Sequence, residues 1–399
     1  MNVAILGFGT VGSGVYDVLT QNAEIITKRT GTELNIKYVL DLREFPGDPV
    51  EKVLVHDFNI ILNDPEVDIV VEVMGGVNPA YQFSKSALEA GKSVCTSNKE
   101  LVAKHGAELI ALAKEKNCNY LFEASVGGGI PIIRQLIRSI TADDIERIDG
   151  ILNGTTNYMM TKMKNDGLAF DDVLKRAQEK GYAERNPAAD IEGHDACRKI
   201  AILTSLAYGK QVDYEDIYTE GITKISDVDV SYASAFNRAI KLLGSSCRGE
   251  DGKVYAMVAP KMLKQDNPLY MVSGVFNAIM VKGNMLDEVM CYGKGAGKLP
   301  TASAVVSDVI DIAKHPNKNI PIIWEQEKLE LGKFEDMKNS FFARIPADKK
   351  EVALKLLPVI EVKEDVKEGE IGVITDVMTE GAFAEAIKEL DVISIIRCE

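Results

Sequence analysis

Asn2–Leu19 reads NVAILGFGTVGSGVYDVL. A short apolar run, Asn2–Leu6, ends in Gly7-Phe8-Gly9-Thr10-Val11-Gly12, and Val11, Val15, Val18 and Leu19 continue at helical spacing. Strand, G-x-G-x-x-G, helix is the opening of a dinucleotide-binding Rossmann domain. The first glycine turns the chain, the second lets backbone approach a pyrophosphate, and the third lets helix pack closely on strand. The helix N-terminus then faces the phosphates. Placement directly after a strand gives the motif its weight, and a glycine-rich turn without a ligand is the minor alternative.

The first helix is predicted to run on to about Lys28, and a second strand, Ile36–Leu40, ends at Asp41 with Arg43 two residues on. An acid here binds the adenosine ribose hydroxyl of NAD, whereas an arginine accommodates the phosphate of NADP. Both residue types are present, and both are equally readable as solvated turn residues. Cofactor preference therefore stays open between NAD and NADP. Val67–Val73 predicts a buried strand closing on Met74, Gly75 and Gly76, followed by a helix over Pro79–Ala90. A strand over Ser93–Thr96 then ends at Ser97-Asn98-Lys99. Ligands of doubly wound sheets lie outside the carboxyl ends of the strands, where Met74, Gly75 and Lys99 fall. Tyr120–Glu123 predicts another short strand, before Gly127-Gly128-Gly129, which reads as an interdomain hinge or a loop with inward carbonyls.

Pro131–Ile140 predicts an exit helix and Arg147–Asn153 the first strand of a new sheet. That strand runs into Gly154-Thr155-Thr156-Asn157-Tyr158, whose hydroxyl and amide groups suit a small polar ligand and also cap a helix. Val254–Pro260 and Met271–Ala278 alternate as strands. Asn277–Leu286 carries small and polar residues, a composition that would suit a sheet pairing with its copy in a dimer. Gly293-Lys294-Gly295-Ala296-Gly297 precedes a helix reaching about Ile312. It is a second place for backbone to approach a cofactor, or a tight interdomain turn.

The densest chemistry is in Gly181–Lys199, GYAERNPAADIEGHDACRK. Pro187 and Gly193 break regular structure, so Glu184–Gly193 is predicted as an irregular loop. From His194 on, Ala196, Ile200, Leu203 and Ala207 recur at helical spacing. Asp195 and Lys199 then share one face at the helix start, where a carboxylate gains from the dipole. Alone, such a pair reads as a solvated ion pair. A long loop delivering Glu184, Asp190, Glu192 and Asp195 to a lysine-bearing helix shifts the balance toward a site.

With 399 residues the chain is too long for one ordinary core, and two or three domains are expected. A net charge of −14 argues against a nucleic-acid partner. No apolar run approaches bilayer-spanning length and the N-terminus lacks a basic region, so neither membrane nor secretion is expected. The six cysteines are scattered without a C-x-x-C, as befits reduced thiols in a cytoplasmic protein. His56, His105, His194 and His315 show no metal-ligand spacing.

The order Ala177, Gly181, Tyr182, Ala183, Glu184, Pro187, Asp190, Ile191, Gly193, Asp195, Lys199 resembles the pattern of the homoserine dehydrogenase family, and the GTTNY run is similar too. The resemblance extends from Asn2 to about Ile312. It implies NAD(P)H-dependent interconversion of aspartate 4-semialdehyde and homoserine, on the route to threonine, methionine and isoleucine. It implies Lys199 as acid/base, Lys99 as a second cation facing cofactor and substrate, and Asp190 orienting the lysine. Glu184 and Asp195 hold substrate, with Tyr182, Asn153, Gly154 and Thr155 around it. Gly7 to Gly12, Asp41, Arg43, Met74, Gly75, Lys99 and Gly297 hold the cofactor. A sodium ion is implied at the Glu123 carboxylate and the main-chain oxygens of Val126, Gly128 and Ile130, an oxygen-only set that suits a hard cation.

The chemistry agrees with the residues. Aldehyde reduction leaves negative charge on oxygen, which an ammonium stabilises and protonates. Lysine titrates near 10.4 and nearby carboxylates favour its charged form. A different semialdehyde reductase and a catalytically silent nucleotide-sensing regulator are the alternatives. Among the former, aspartate-semialdehyde dehydrogenase needs a nucleophilic cysteine beside a base, an arrangement Cys95 and Cys197 lack, and intact Lys99 and Lys199 speak against the latter.

After a polar linker, SFFARI, Glu351–Leu357, Ile360–Val366, Glu370–Val377, Glu380–Leu390 and Val392–Arg397 read as strand, helix, strand, strand, helix, strand. That order resembles the ferredoxin-like ACT domain through which some members of the family sense an amino acid such as threonine. The glycine expected before the first helix is replaced by Ala347-Asp348-Lys349-Lys350, so a purely oligomerising role competes with effector binding. No kinase-like half precedes the Gly7–Gly12 fingerprint, so a fusion with aspartate kinase is not expected. The expected fold is α/β: a Rossmann domain over 1–132, an α+β substrate and dimerisation domain over 133–318, and an ACT-like module over 338–399. The resemblance implies that the helix 301–312 returns to the nucleotide domain, and a homodimer or homotetramer is expected.

Overall fold

A computed structural model describes residues Met1–Glu399. The chain divides into two compact units, the first gathering 1–143, 201–213 and 293–329, the second 144–200, 214–292 and 330–399. No helix is long and apolar enough to cross a membrane, and all the cysteines are free thiols.

The first unit is built on β1 (Asn2–Leu6), β2 (Asn35–Leu40), β3 (Leu54–Val55), β4 (Val67–Glu72), β5 (Ser93–Thr96) and β6 (Tyr120–Leu121). These six strands pair in parallel in the order β3-β2-β1-β4-β5-β6. The strand order reverses at β1, so the crevice for a ligand opens at the carboxyl ends of β1 and β4. Val3, Ile5, Val39, Ile69 and Val71 are fully buried, because a parallel sheet is covered on both faces. One cover is the helix Thr10–Gln21 through Val15 and Leu19; another is the helix Lys298–Lys314 through Ala302, Val305, Val309 and Ile312. Each Val, Leu or Ile side chain among these contributes about 1.5–3 kcal/mol by leaving water.

The fingerprint glycines have specific steric reasons. Gly7 turns the chain at φ +98°, and a Cβ on Gly12 would lie 1.9 Å from the Gly7 carbonyl oxygen. Several boundaries differ from expectation. The first helix stops at Gln21 and a separate one starts at Ala23, with Asn22 between them, rather than running through to Lys28. The strand expected over Tyr120–Glu123 ends at Leu121, because Glu123–Ser125 closes into a 3₁₀ turn. The exit helix is α-helical over Ile132–Arg134 and widens into a π turn over Gln135–Ser139.

The second unit carries β7 (Ile145–Ile151), β8 (Arg238–Arg248), β9 (Val254–Lys264), β10 (Phe276–Gly283), β11 (Asp287–Lys294), β12 (Lys338–Pro346), β13 (Val359–Lys363), β14 (Glu370–Thr375) and β15 (Ser394–Cys398). They run in the order β11-β10-β7-β8-β9-β15-β12-β14-β13, with Tyr218–Thr219 beside β9 and Met378–Thr379 beside β12. The part from β12 onward interleaves the helices Lys350–Leu356 and Glu380–Ala386. Its strands pair antiparallel in the order β15-β12-β14-β13. β15 then joins β9 in parallel at Lys261↔Arg397 and Met262↔Cys398.

The strand expected over Met271–Ala278 begins only at Phe276, because Pro268–Met271 forms a 3₁₀ turn capped by Asn267. β8 was not anticipated at all. The Glu184–Gly193 loop also contains one helical turn, Ala188–Ile191, entered from Pro187.

Gly12→Ala should lower the unfolding free energy by about 1–3 kcal/mol, the usual range for overpacking against backbone that cannot yield. Urea unfolding followed by circular dichroism measures this, and an unchanged midpoint contradicts the packing described.

Candidate active site

In the first unit the fingerprint loop is pinned from two sides. Gly7 N–H donates to the Leu40 carbonyl at 2.7 Å, and Phe8 N–H donates to Asp41 Oδ2 at 2.8 Å. Arg43 closes on the same carboxylate through Nε and Nη2, both at 2.9 Å, and its Nη2 also reaches the Phe8 carbonyl at 3.2 Å. These donors hold the Asp41 carboxyl far below the usual carboxylate range, with the Arg43 hydrogen bonds the largest cause. A cleft of about 510 Å³ opens here, bounded by Gly7, Gly9, Asp41, Arg43, Met74 and Phe83 among others. A Cβ on Gly9 would meet nothing within 4 Å, so backbone is open to a ligand at the start of the helix Thr10–Gln21. Residues expected to hold a dinucleotide thus fit one.

Sequence reasoning overlooked the group that ties the two loops beyond β4 and β5 together. Glu72, fully buried at the end of β4, accepts Met74 N–H at 2.8 Å and Thr96 Oγ1–H at 2.6 Å. Thr96 Oγ1 accepts Asn98 N–H at 2.9 Å. Asn98 donates to the Gly76 carbonyl and caps the helix Lys99–Glu115 by accepting Leu101 N–H. Met74, Gly75 and Lys99 are thereby held by one network. Burial pushes the Glu72 carboxyl upward. A single acid at a strand end gives no periodic signal, which is why it escaped notice.

The two glycine-rich segments of this unit meet. Gly129 N–H donates to the Lys294 carbonyl at 3.1 Å, and a Cβ on Gly128 would sit 2.3 Å from the Gly295 carbonyl oxygen. Gly297, at φ +121°, starts the helix Lys298–Lys314. The Glu123 carboxylate is already engaged: Oε1 accepts Ile133 N–H at 2.9 Å and Oε2 accepts Arg134 N–H at 2.8 Å. The Ile130 carbonyl accepts Ile132 N–H at 2.9 Å. Glu123 thus caps the Ile132–Arg134 turn, with one N–H on each carboxylate oxygen and a further lone pair left on each. No cluster of three or more His, Cys, Asp or Glu side chains is arranged to hold a metal.

In the second unit the polar groups converge on Lys199. Its Nζ donates to Asp195 Oδ2 and to the Leu152 carbonyl, each at 2.8 Å. Lys199 is 8% exposed and Asp195 4%, so this is a desolvated pair and not the solvated one that i,i+4 spacing ordinarily gives. Asn153 follows β7 and caps the helix Gly154–Asp166 by accepting Thr156 N–H. Its Nδ2 donates to Asp190 Oδ1 at 2.7 Å and to Asp195 Oδ2 at 2.8 Å. One amide thus bridges two carboxylates. The acid at contact distance from the lysine is Asp195, with Asp190 reaching the group through Asn153. Burial raises the Asp190 carboxyl above its ordinary value, partly offset by the Asn153 hydrogen bond.

Around this centre, Thr155 Oγ1–H donates to the Tyr182 carbonyl at 2.6 Å, and Tyr182 meets Tyr158 edge-on at 5.0 Å. Tyr182 and Glu184 are exposed at the rim. Gly154 lies where a Cβ would come 2.8 Å from the Val275 carbonyl oxygen. The Leu152 carbonyl is the partner no sequence pattern announces, being backbone.

A doubly wound sheet with an open dinucleotide cleft, and a buried ammonium held by carboxylate and carbonyl, define a nicotinamide-dependent oxidoreductase. The family description "Homoserine dehydrogenase, NAD binding domain" matches residues 7–123, and "Homoserine dehydrogenase" matches 131–310. A homoserine dehydrogenase of Bacillus subtilis (strain 168) is 36% identical over 423 residues, covering 100% of this chain and 96% of the relative. A crystal structure of a homoserine dehydrogenase from Thiobacillus denitrificans superposes with a TM-score of 0.92 at 36% identity, covering 100% of this chain and 98% of that one. A hyperthermophilic archaeal homoserine dehydrogenase mutant in complex with NADPH superposes at 0.67 with 32% identity, over 79% of this chain and 98% of that one. The chain belongs to the homoserine dehydrogenase family. Its activity is that of an NAD(P)-dependent oxidoreductase acting on a CH–OH group.

Because the folded-state value of Asp190 is raised above 3.8, the native state holds this proton more tightly than the unfolded chain. Its contribution to stability is therefore lost as pH rises from the unfolded value through the raised one. Asp190→Asn removes that loss. The stability difference between variant and parent, from urea unfolding in acid and at neutral pH, should shift in favour of the variant as pH rises. The opposite trend contradicts the burial described.

Proposed function

We propose that Lys199 is the proton donor when the chain reduces aspartate 4-semialdehyde to homoserine, and the acceptor in reverse. The observation that carries this reading is the buried Nζ held by Asp195 Oδ2 and the Leu152 carbonyl. Those two contacts fix the position of the ammonium, a donor group suited to a substrate oxygen. A bound reduced nicotinamide supplies the hydride. As the carbonyl carbon accepts it, charge develops on oxygen, where the lysine stabilises it and delivers a proton. The geometry favours Asp195 as the group that orients the lysine. Asp190, steadied by Asn153, then joins the rim residues Glu184 and Tyr182, with Gly154 and Thr155, in holding the amino-acid end. Lys99 is a second cation on the dinucleotide-bearing unit.

The Asp41–Arg43 pair supports a preference for NADP. All the acceptor directions used by Asp41 face Phe8 and Arg43, which leaves the arginine as the residue to meet a 2′-phosphate. Phe8, Thr10, Val11 and Gly12 complete the pyrophosphate cradle, and Gly297 the backbone approach from the other glycine loop. A sodium ion would rest on the Glu123 carboxylate and the main-chain oxygens of Val126, Gly128 and Ile130, using the lone pairs that the Ile132, Ile133 and Arg134 N–H groups leave.

The order β15-β12-β14-β13 supports an ACT-like module over 338–399, beside a nucleotide domain over 1–132 and a substrate domain over 133–318. An amino acid such as threonine is the effector this module would sense. Exposed Met285, Leu286, Met290 and Tyr292 favour a homodimer or homotetramer through the β10–β11 end of the sheet. The setting is a cytoplasmic enzyme of threonine, methionine and isoleucine synthesis.

Lys199→Ala should lower kcat by about 10²–10⁴-fold, the range for losing a positioned acid/base, while NADPH fluorescence still reports normal binding. Near-normal turnover rules the assignment out. Arg43→Ala should raise KM for NADPH about tenfold, the worth of one charge-assisted hydrogen bond, and leave KM for NADH unchanged. Equal effects on both cofactors count against the phosphate contact.

A further inference from the structure

An ionic relay centred on the buried Arg397 joins the C-terminal strand and helix to the turn that carries Asp190 and Asp195. Glu220 sits at its centre. The segment Tyr218–Thr219 pairs with β9, and Glu220 N–H donates to the Val258 carbonyl at 2.8 Å. Two residues later Ile222 N–H donates to the Ile191 carbonyl at 2.8 Å. Between them, a Cβ on Gly221 would lie 2.0 Å from the Ile191 carbonyl oxygen and 2.4 Å from Glu192 Cα. Glycine is therefore required for this segment to lie flush against Ile191–Glu192, and a Cβ on Gly193 would touch Thr219 at 3.2 Å. The backbone after Glu220 is thus the floor beneath the turn from Asp190 to Asp195.

The side chain of Glu220 points the other way. Its Oε2 accepts Arg397 Nη1–H at 2.7 Å and Tyr218 O–H at 3.1 Å. Arg397, 5% exposed on β15, spends its remaining fork on the helix Glu380–Ala386: Nε donates to Glu380 Oε1 at 2.7 Å and Nη2 to Oε2 at 3.0 Å. Asn339 Nδ2 also donates to Glu380 Oε1. The guanidinium lies over the stacked rings of Tyr218 and Phe334, 5.0 and 5.5 Å from their centroids. One cation thus divides its donors between a carboxylate of the C-terminal strand–helix layer and a carboxylate rooted beside the Asp190 turn. A planar fork fixed at three points transmits a displacement of either carboxylate to the other, because the guanidinium is buried and its donors are shared between buried Glu380 and half-buried Glu220.

We propose that Glu220 and Arg397 are positioning residues for turnover at Lys199. They hold the Asp190–Asp195 turn in register, so that any shift of the helix Glu380–Ala386 is felt there. The proposal rests on the reading of Asp190, Asp195 and Lys199 as the substrate site. If it holds, binding at the C-terminal layer has a direct mechanical route to the reacting amine.

The test uses the full chain with Glu220→Gln, Arg397→Lys and the double variant, alongside Lys199→Ala. Glu220→Gln keeps shape and removes charge; Arg397→Lys keeps charge and removes the fork. Each single variant should lose kcat/KM for homoserine on the order of tenfold with NADPH affinity retained, and the double should lose no more than the worse single. Hydrogen exchange should quicken at the amides of Ile191–Asp195 and stay unchanged in the helix Gly154–Asp166, which a merely structural loss of packing would not separate. Unaltered turnover in both singles, losses that multiply in the double, or exchange that rises throughout the unit overturns the proposal. Loss of activity in Lys199→Ala with none in the relay variants removes this inference alone. Full activity in Lys199→Ala removes the site reading beneath it.

Discussion

The molecule depends on a charged amine kept out of water. Lys199 Nζ, Asp195 Oδ2 and the Leu152 carbonyl lie within 2.8 Å contacts, and both side chains are buried. Desolvating such a pair is costly, and removing one partner typically destabilises by about 3–5 kcal/mol because the other charge stays buried. Stability alone is a poor reason to keep it. The surrounding polypeptide is arranged around that cost: Asn153 caps a helix and bridges two carboxylates with the same side chain, and Asp195 sits in the first turn of its helix, where the dipole favours its charge.

The dinucleotide half solves a different problem, which is to bring backbone against phosphates without side chains in the way. Gly7 and Gly12 are there because neither the turn nor the carbonyl at 1.9 Å tolerates a Cβ. Glu72 does the complementary work at the next two strand ends, using a buried carboxylate to hold main-chain N–H and a threonine hydroxyl in fixed relation. Polar groups that read as scattered in sequence become one network because parallel strands deliver their carboxyl ends to the same edge.

What was legible in the sequence was what short-range pattern encodes. The Gly7–Gly12 fingerprint gave the doubly wound sheet, and four-residue spacing put Asp195 and Lys199 on one face. The strand–helix order after Lys338 was readable for the same reason. β8 was not, because Lys241, Gly244, Ser245 and Ser246 interrupt any alternation. In the folded chain those polar residues are buried, Lys241 against the Val272 carbonyl and Ser245 against Asp149. Burial on both faces erases the period-two signal. The Leu152 carbonyl, the engagement of Glu123 by Ile133 and Arg134, and the meeting of Gly128 with Gly295 are tertiary facts with no local trace. The Ala188–Ile191 turn was hidden by the flanking Pro187 and Gly193, which mark where regular structure stops and not how much lies between.

The central claim is that an ammonium at position 199 supplies the proton. Chemical rescue tests it most directly: aspartate semialdehyde reduction by Lys199→Ala is measured against a series of small primary alkylamines of graded basicity. Turnover should rise with the concentration of the protonated amine and follow a Brønsted line in its acidity. A variant that binds NADPH yet shows no response to any amine contradicts the claim.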